Sequence, residues 1–341
     1  SRLHPLFLSM LSLSDGSRHA KHSKRGVISW MALQCRLLVH NKSKRVFCLM
    51  LLCLFVIYGM ERCIVYRRNS QKWFKAPIND VYRQCPPPTY PLLADANPPP
   101  TICLTTLTDA AQRNVWQSLF RWRNFDNLLE MTWPNKQAYV DFAHYRLFDG
   151  SQHLDNTRPP SWSKIRAVQA LMNHEQCDWI VWLDADTVIM NKTQRIEAFL
   201  PAEADFVVTR EKNNKYNAGA WIIKNSAWSK SFLERWWNMD SFVQPKGMAV
   251  SGDNDALNYF LHHMDENDRR HVVIPPRCGF NAVACFTTTS EHEQYATGAR
   301  QVSQYEWYLH EWKYHKGDFI AHVAGKDNRI TTTHMLLEDA A

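Results

Sequence analysis

Residues 178–191 read DWIVWLDADTVIMN, and the fold class follows from how this stretch must be buried. Ile180, Val181, Trp182 and Leu183 form an unbroken apolar run, too short for a typical helix. A run buried on both faces is how a central strand of a parallel sheet reads. It ends in Asp184-Ala185-Asp186-Thr187. Two carboxylates at i and i+2, at the carboxyl end of a buried strand, stand where open α/β sheets keep their ligands. Carboxylates crowded together repel, and buried ones ionise only beside a cation or a donor. A hard divalent ion meets both conditions, because Mg²⁺ or Mn²⁺ takes one or two carboxylates plus substrate phosphates. A solvated Asp-rich turn is the competing reading. The four buried residues just upstream favour the metal.

The rest of the chain sorts around that strand. With 341 residues, 45% hydrophobic and 12% aromatic, it can bury a large core, which excludes a disordered protein. The net charge of +7 is concentrated at the N-terminus, where Arg2, Arg18, Lys21, Lys24, Arg25, Arg36, Lys42 and Lys44 face a single acid, Asp15. Such an arm would suit nucleic acid. The next stretch argues otherwise. Residues 46–60, VFCLMLLCLFVIYGM, carry no charge, and Cys63 to Tyr66 extend the run past Glu61-Arg62. Arg62 can snorkel, and thin early-secretory membranes accept short spans. No small-residue cleavage site follows, which disfavours a signal peptide. The Lys42–Arg45 cluster before the span predicts a cytosolic N-terminus, with Arg67 and Arg68 weakening that vote. The expected organisation is a cytosolic basic tail over 1–45, a transmembrane signal anchor over 46–66 and a Pro-rich stem over 67–100. A catalytic domain over 101–335 follows. With the arm read as a cytosolic flank, no nucleic-acid partner is expected.

Within that domain, Thr101 to Leu107 reads as a first strand and Ala138 to Phe148 as a helix–strand pair. Ile165, Val168, Leu171 and Met172 mark a helix that Ser161 or Ser163 can cap. Residues 205–209 and 220–223 read as strands, 227–237 as a helix and 319–321 as a strand. Strands alternating with helices predict an α/β fold with a single, mostly parallel, Rossmann-like sheet. No Gly-rich phosphate loop occurs, so a bound nucleotide would be held through a metal. Downstream, Asn217-Ala218-Gly219 precedes a strand, and its Gly lets backbone approach a ligand closely. In Ser251-Gly252-Asp253-Asn254-Asp255, either Asp253 or Asp255 could simply cap a helix. His322-Val323-Ala324-Gly325-Lys326 suits a third metal ligand and a cation over phosphates.

Taken in order, the D-x-D strand, the N-x-G, the acidic turn and the late His-x-x-Gly-Lys resemble one family. The chain looks like glycosyltransferase family thirty-four, which holds yeast Golgi α-1,2-galactosyltransferases, α-1,6-mannosyltransferases and plant xyloglucan xylosyltransferases. The likeness spans about 101–329, supported by Asn135-Lys136 with Tyr139 and His144, and by Trp162-Ser163-Lys164. It implies a GT-A type nucleotide-diphospho-sugar transferase fold and a retaining hexosyl- or pentosyltransferase. It also implies Mn²⁺, with Mg²⁺ as an alternative. Asp184, Asp186 and His322 would be the metal ligands. Lys164 and Lys326 would lie near the diphosphate, though plant members place one residue between the Gly and that second lysine. Thr105 and Thr106 would meet the nucleobase. Asn217 and Gly219 would line the donor sugar, with Asn217 and Asp253 carrying the catalytic role. Asp253 matches the acid of a D-Q-x-x-L turn in which this chain has Asn254 for Gln.

The expected partners are a UDP- or GDP-sugar donor, a glycan acceptor and the Golgi membrane, in a single-pass type II topology with the catalytic domain lumenal. A homo- or hetero-oligomeric state stays open. A double displacement would need a carboxylate under the sugar; Asp253 and Asp255 are candidates, and front-face substitution fits the family better. Two rival functions are a metal-dependent phosphoester hydrolase and a catalytically silent carbohydrate-binding protein. The first would want more Asp and His ligands for a second metal. The second would use Trp221, Trp228, Trp236, Trp237, Trp307 or Trp312, most of which the spacing assigns to the core. Among nine cysteines, Cys278–Cys285 is a plausible local disulfide in an oxidising compartment. The sequon Asn191-Lys192-Thr193 lies close to the metal strand, which argues against its occupancy.

Overall fold

Strand β3 (Trp179–Leu183) is buried at every residue. Its alternating side chains enter two different cores. Ile180 and Trp182 pack with one cluster, and Trp179, Val181 and Leu183 with the other. That division is why the run has no polar face.

In the computed structural model the described residues are 84–93, 97–109, 127–211, 214–245, 251–284, 314–324 and 329–340. All described residues lie within the unit 74–341. The expected tail and anchor, Lys326 and Cys285 fall outside the described residues, among which no helix is long and apolar enough to cross a membrane.

The main sheet has six strands in the order β2-β1-β3-β6-β5-β7. These are β1 (Ile102–Thr106), β2 (Arg146–Asp149), β3, β5 (Phe206–Arg210), β6 (Tyr216–Lys224) and β7 (Val272–Val273). β1 runs parallel to β2 and β3, and β5 parallel to β7, but β6 is antiparallel to both β3 and β5. The α/β class holds, while the sheet is mixed through this one reversed central strand. The expectation of a single sheet is also corrected. β4 (Thr187–Ile189), β8 (Ala282–Val283) and β9 (Ile320–His322) form a second sheet in the order β4-β9-β8.

Helices α2 (Ser163–His174), α3 (Ala227–Trp237) and α4 (Asp253–His263) contribute to one core, built on Trp162, Trp182, Trp221, Phe232, Trp236 and Leu257. Helix α1 (Leu128–Ala143) presents Tyr139, Val140 and Ala143 to the other, with Phe199, Phe280 and Phe319. Helix α5 (Arg329–Ala340) follows β9, and its Leu336 packs with Val188 and Ala321 of the small sheet.

Several local expectations are revised. No side chain caps α2: the hydroxyl of Ser163, its first residue, accepts the Asp155 amide, and that of Ser161 bonds to Asp253. Gly252, at φ 90°, occupies the N-cap of α4, so neither Asp253 nor Asp255 caps it. Cys278 bonds to Cys85, not to Cys285, and Cys103 bonds to Cys177. The first of these disulfides ties part of the expected spacer to the domain. Around it, the Leu93 amide donates to Leu200 O, the Ala202 amide to Pro91 O, and the Tyr90 hydroxyl to Phe199 O. Residues 84–93 therefore lie against the folded domain rather than free of it.

Candidate metal and donor site

The D-x-D turn is held open from both sides by backbone. Asp184 N donates to Gly219 O at 2.7 Å, and Val323 N donates to Asp186 O at 3.0 Å. The turn links β3 of the large sheet to β4 of the small one, and β4 pairs with β9 so that Thr187 faces His322. This register brings a residue 136 positions downstream beside the two aspartates.

A polar face of α1 secures the turn. Thr132 Oγ1 donates to Ala185 O, and Lys136 Nζ to Thr187 O. Asn135 clamps Ile189 by both its backbone groups. The spacing i, i+3, i+4 puts these three side chains on one helix face. Lys136 is fully buried; burial pushes its ammonium down to about 7, against the pull of Asp186 and then Asp184.

Ligand atoms of Asp184, Asp186 and His322 all lie within 4.8 Å of one another. His322 Nε2 is 3.2 Å from Asp186 Oδ1 and 3.9 Å from Asp184 Oδ2. The opposite atom of each ligand is held by protein. Asp184 Oδ1 accepts from Lys164 Nζ (3.1 Å) and Trp182 Nε1 (2.8 Å). Asp186 Oδ2 lies 3.4 Å from Arg329 Nε, and His322 Nδ1 lies 3.1 Å from Asn281 Oδ1. Two carboxylate oxygens and one imidazole nitrogen thus remain turned toward one another. Adjacent ligands of an octahedral Mg²⁺-sized ion stand about 3 Å apart, so this donor set fits a hard divalent cation. Burial works against ionisation of Asp186, but the neighbouring His322 and Arg329 outweigh it and hold its carboxyl well below the usual range.

Lys164 is the hinge of the arrangement. Its Nζ, 2% exposed as a residue, reaches Asp184 Oδ1 (3.1 Å), Asp253 Oδ2 (3.1 Å) and Ala218 O (3.0 Å). Burial disfavours its charge, yet Asp184 and Asp253 together hold its pKa above the ordinary lysine value. Asp253, expected to face the sugar, is buried with both oxygens engaged. Oδ2 meets Lys164, and Oδ1 accepts from Ser161 at 3.0 Å and from Ser251. Burial opposes its ionisation too, but Lys164 and the two serine hydroxyls keep its pKa lowered.

Asn217 donates through Nδ2 to Glu211 and accepts the Gly219 amide at 2.7 Å. Gly219 meets a steric demand: a Cβ there would stand 2.0 Å from His322 Cε1. Asn254, in the expected Gln position, accepts the Ala218 amide at 2.8 Å. Thr105 and Thr106 close β1 beside β3, buried, with hydroxyls that find no partner among the described residues. A cavity of about 340 Å³ opens near the carboxyl ends of β1 and β2, lined by Thr108, Asn127, Leu129, Glu130, Trp133 and Asp149. It does not enclose the metal ligands. Sequence reasoning missed Arg329 and Asn281; Arg329 lies three residues past Lys326, at the start of a helix, and Asn281 carries no motif.

Residues 102–204 match the model of the galactosyl transferase GMA12/MNN10 family, and residues 165–272 match a family described as a protein of unknown function, DUF273. The probable alpha-1,6-mannosyltransferase MNN10 of Saccharomyces cerevisiae is 24% identical over 255 residues, which is 62% of this chain and 59% of that protein. The probable alpha-1,2-galactosyltransferase gmh1 of Schizosaccharomyces pombe is 32% identical over 137 residues, 39% of this chain and 38% of its own. The matched segments span between about a third and three fifths of such relatives. Among solved structures, a glycosyltransferase involved in the glycosylation of the major capsid of PBCV-1 superposes at TM-score 0.44 with 12% identity, over 70% of this chain and 100% of that one.

Proposed function

We propose that this chain, which belongs to the galactosyl transferase GMA12/MNN10 family, transfers galactose, mannose or xylose from a UDP- or GDP-sugar to a glycan acceptor, with retention of configuration. The observation that carries this reading is the convergence of Asp184 Oδ2, Asp186 Oδ1 and His322 Nε2, each with its other donor atom held by protein. These three residues would hold Mn²⁺, or Mg²⁺ in its place. When bound, the ion supplies charge neutralisation for a departing nucleoside diphosphate.

The chain's own groups have complementary tasks. Lys164 pairs with Asp184 and fixes the orientation of one of its oxygens. Asp253 holds Lys164 in place, and the engagement of both its oxygens disfavours it as an attacking nucleophile, which supports front-face substitution. Asn217 and Gly219 set the backbone under His322. We place the nucleoside at the carboxyl ends of β1 and β2, where the cavity opens and where the Thr105 and Thr106 hydroxyls have no partner among the described residues. Lys326 is proposed to approach the diphosphate.

A Golgi type II topology, with the domain lumenal, is supported by the uncharged apolar run 46–60, its basic flank and two disulfides suited to an oxidising compartment. For the hydrolase alternative, the described residues offer one metal-ligand cluster and no second. For the lectin alternative, Trp221, Trp236 and Trp237 are buried and cannot stack on sugars, Trp228 is partly buried, and Trp307 and Trp312 lie outside the described residues.

The test is donor hydrolysis by the purified full chain with Mn²⁺ across a panel of UDP- and GDP-sugars. Release of nucleoside diphosphate from one sugar, abolished by EDTA and in Asp184→Asn/Asp186→Asn, is expected. Hydrolysis of generic phosphoesters instead would transfer the assignment to the hydrolase.

A further inference from the structure

Asn281 sits at the end of a single turn, Arg277–Phe280, that leads into β8. It is 0% exposed and has no sequence signature. Its backbone is pinned: its amide donates to Arg277 O at 2.8 Å, and its carbonyl accepts from Arg277 Nε at 3.1 Å. The side chain is pinned as well. Nδ2 donates to the buried Thr209 Oγ1 at 3.1 Å, which leaves Oδ1 facing His322 Nδ1 at 3.1 Å. On its other face the His322 ring lies so close over Gly219 that a Cβ there would fall 2.8 Å from both ring nitrogens.

A neutral imidazole carries one proton, and a nitrogen can be a metal ligand only if it lacks that proton. We propose that Asn281 is a positioning residue: by accepting from Nδ1–H it fixes the His322 tautomer and ring plane, and so keeps Nε2 as the lone-pair donor toward Asp186 and Asp184. This rests on the metal reading given above. Thr209 completes the device. Its hydroxyl pairs with Asn281 Nδ2 and fixes the position of the amide plane beside the ring. Outer partners of ligating histidines commonly change metal affinity by 10–100-fold when lost.

The experiment compares Mn²⁺ binding, followed by the electron paramagnetic resonance of the free ion, for the full chain and three variants. Asn281→Leu, which keeps the volume and removes the acceptor, is expected to weaken binding about 10–100-fold, while Asn281→Asp, which restores an acceptor, stays within about threefold of the native chain. His322→Ala is expected to lose at least as much as Asn281→Leu. Thermal unfolding of each variant reports on the fold separately. In the Mg²⁺-loaded chain, ¹⁵N-histidine spectra should show His322 protonated at Nδ1. If Mn²⁺ binds and depends on His322 but is indifferent to Asn281→Leu, or if Nε2 carries the proton, the role of Asn281 is overturned and the metal site stands. If the native chain takes no Mn²⁺, the metal reading fails and this inference falls with it.

Discussion

Replacing Gly219 by alanine probes the site's most demanding contact. The added Cβ would stand 2.0 Å from His322 Cε1. Ordinary carbon–carbon contact begins near 3.5 Å, so the ring must retreat by about 1.5 Å. It has nowhere to go without loss. Asn281 lies 3.1 Å from Nδ1, and Asp186 lies 3.2 Å from Nε2. Metal–ligand distances tolerate only about 0.2 Å. Gly219→Ala should therefore weaken Mn²⁺ binding about 10–100-fold or more, and overpacking should destabilise the fold by about 1–3 kcal/mol. Away from such a clash, Ala in a strand is more favourable than Gly by about 0.5–1 kcal/mol. The sign of the effect should thus reverse in a His322→Ala background, where the ring is gone. Urea unfolding of the two single variants and the double variant measures this coupling. Equal cost of Gly219→Ala in both backgrounds, or native Mn²⁺ affinity in the single variant, would refute the placement of His322 over Gly219.

Two further perturbations address the buried charges. Lys164→Met removes the ammonium shared by Asp184 and Asp253 and leaves Asp253 buried without its counter-charge, so stability should fall by about 3–5 kcal/mol and partly recover in Lys164→Met/Asp253→Asn; a lysine serving only a phosphate would show the loss in donor KM instead. Asp268, bound by Arg235 through two hydrogen bonds of 2.7 and 2.8 Å, has a lowered pKa caused first by that bond, and then by Trp228 against the opposing effect of burial. A carboxyl depressed in the folded state stabilises above its unfolded value, about 3.9, and loses that contribution as pH falls through the folded value. Asp268→Asn should accordingly flatten the loss of stability below about pH 4 in an acid titration followed by circular dichroism.

What could be read in advance depended on how local the cause was. The D-x-D strand was legible because burial on two faces leaves a continuous apolar run, and helix 227–237 because its apolar spacing is its own. The reversal of β6 was not: an all-buried strand carries no mark of direction, and Tyr216–Lys224 would read the same either way. Of the small sheet only the strand at 319–321 was legible; β4 and β8, of three and two residues, fall below the length at which periodicity means anything. Cysteine pairing failed for a related reason. The partner of Cys278 lies 193 residues away, and only the packed chain brings Cys85 to it.

The site divides along the same line. Asp184, Asp186 and His322 announce themselves by residue type and motif order. The atoms that aim them do not. Lys164 could be expected near the site, but its ammonium meets two carboxylates rather than open space, a fact set by how α2, β3 and α4 meet. Gly219 had a recognisable motif and a different reason to be glycine, since the space it leaves belongs to an imidazole from β9. Asn281 and Arg329 had no signal, because an amide or a guanidinium acquires meaning only from what stands 3 Å away. In this protein two of the candidate ligands sit in the turn that joins the two sheets and the third on β9 of the small sheet, while their orientation comes from helices and turns remote in sequence. The strength of the proposed metal site should therefore be a property of how the two sheets are joined, and substitutions that touch none of the three residues should change it.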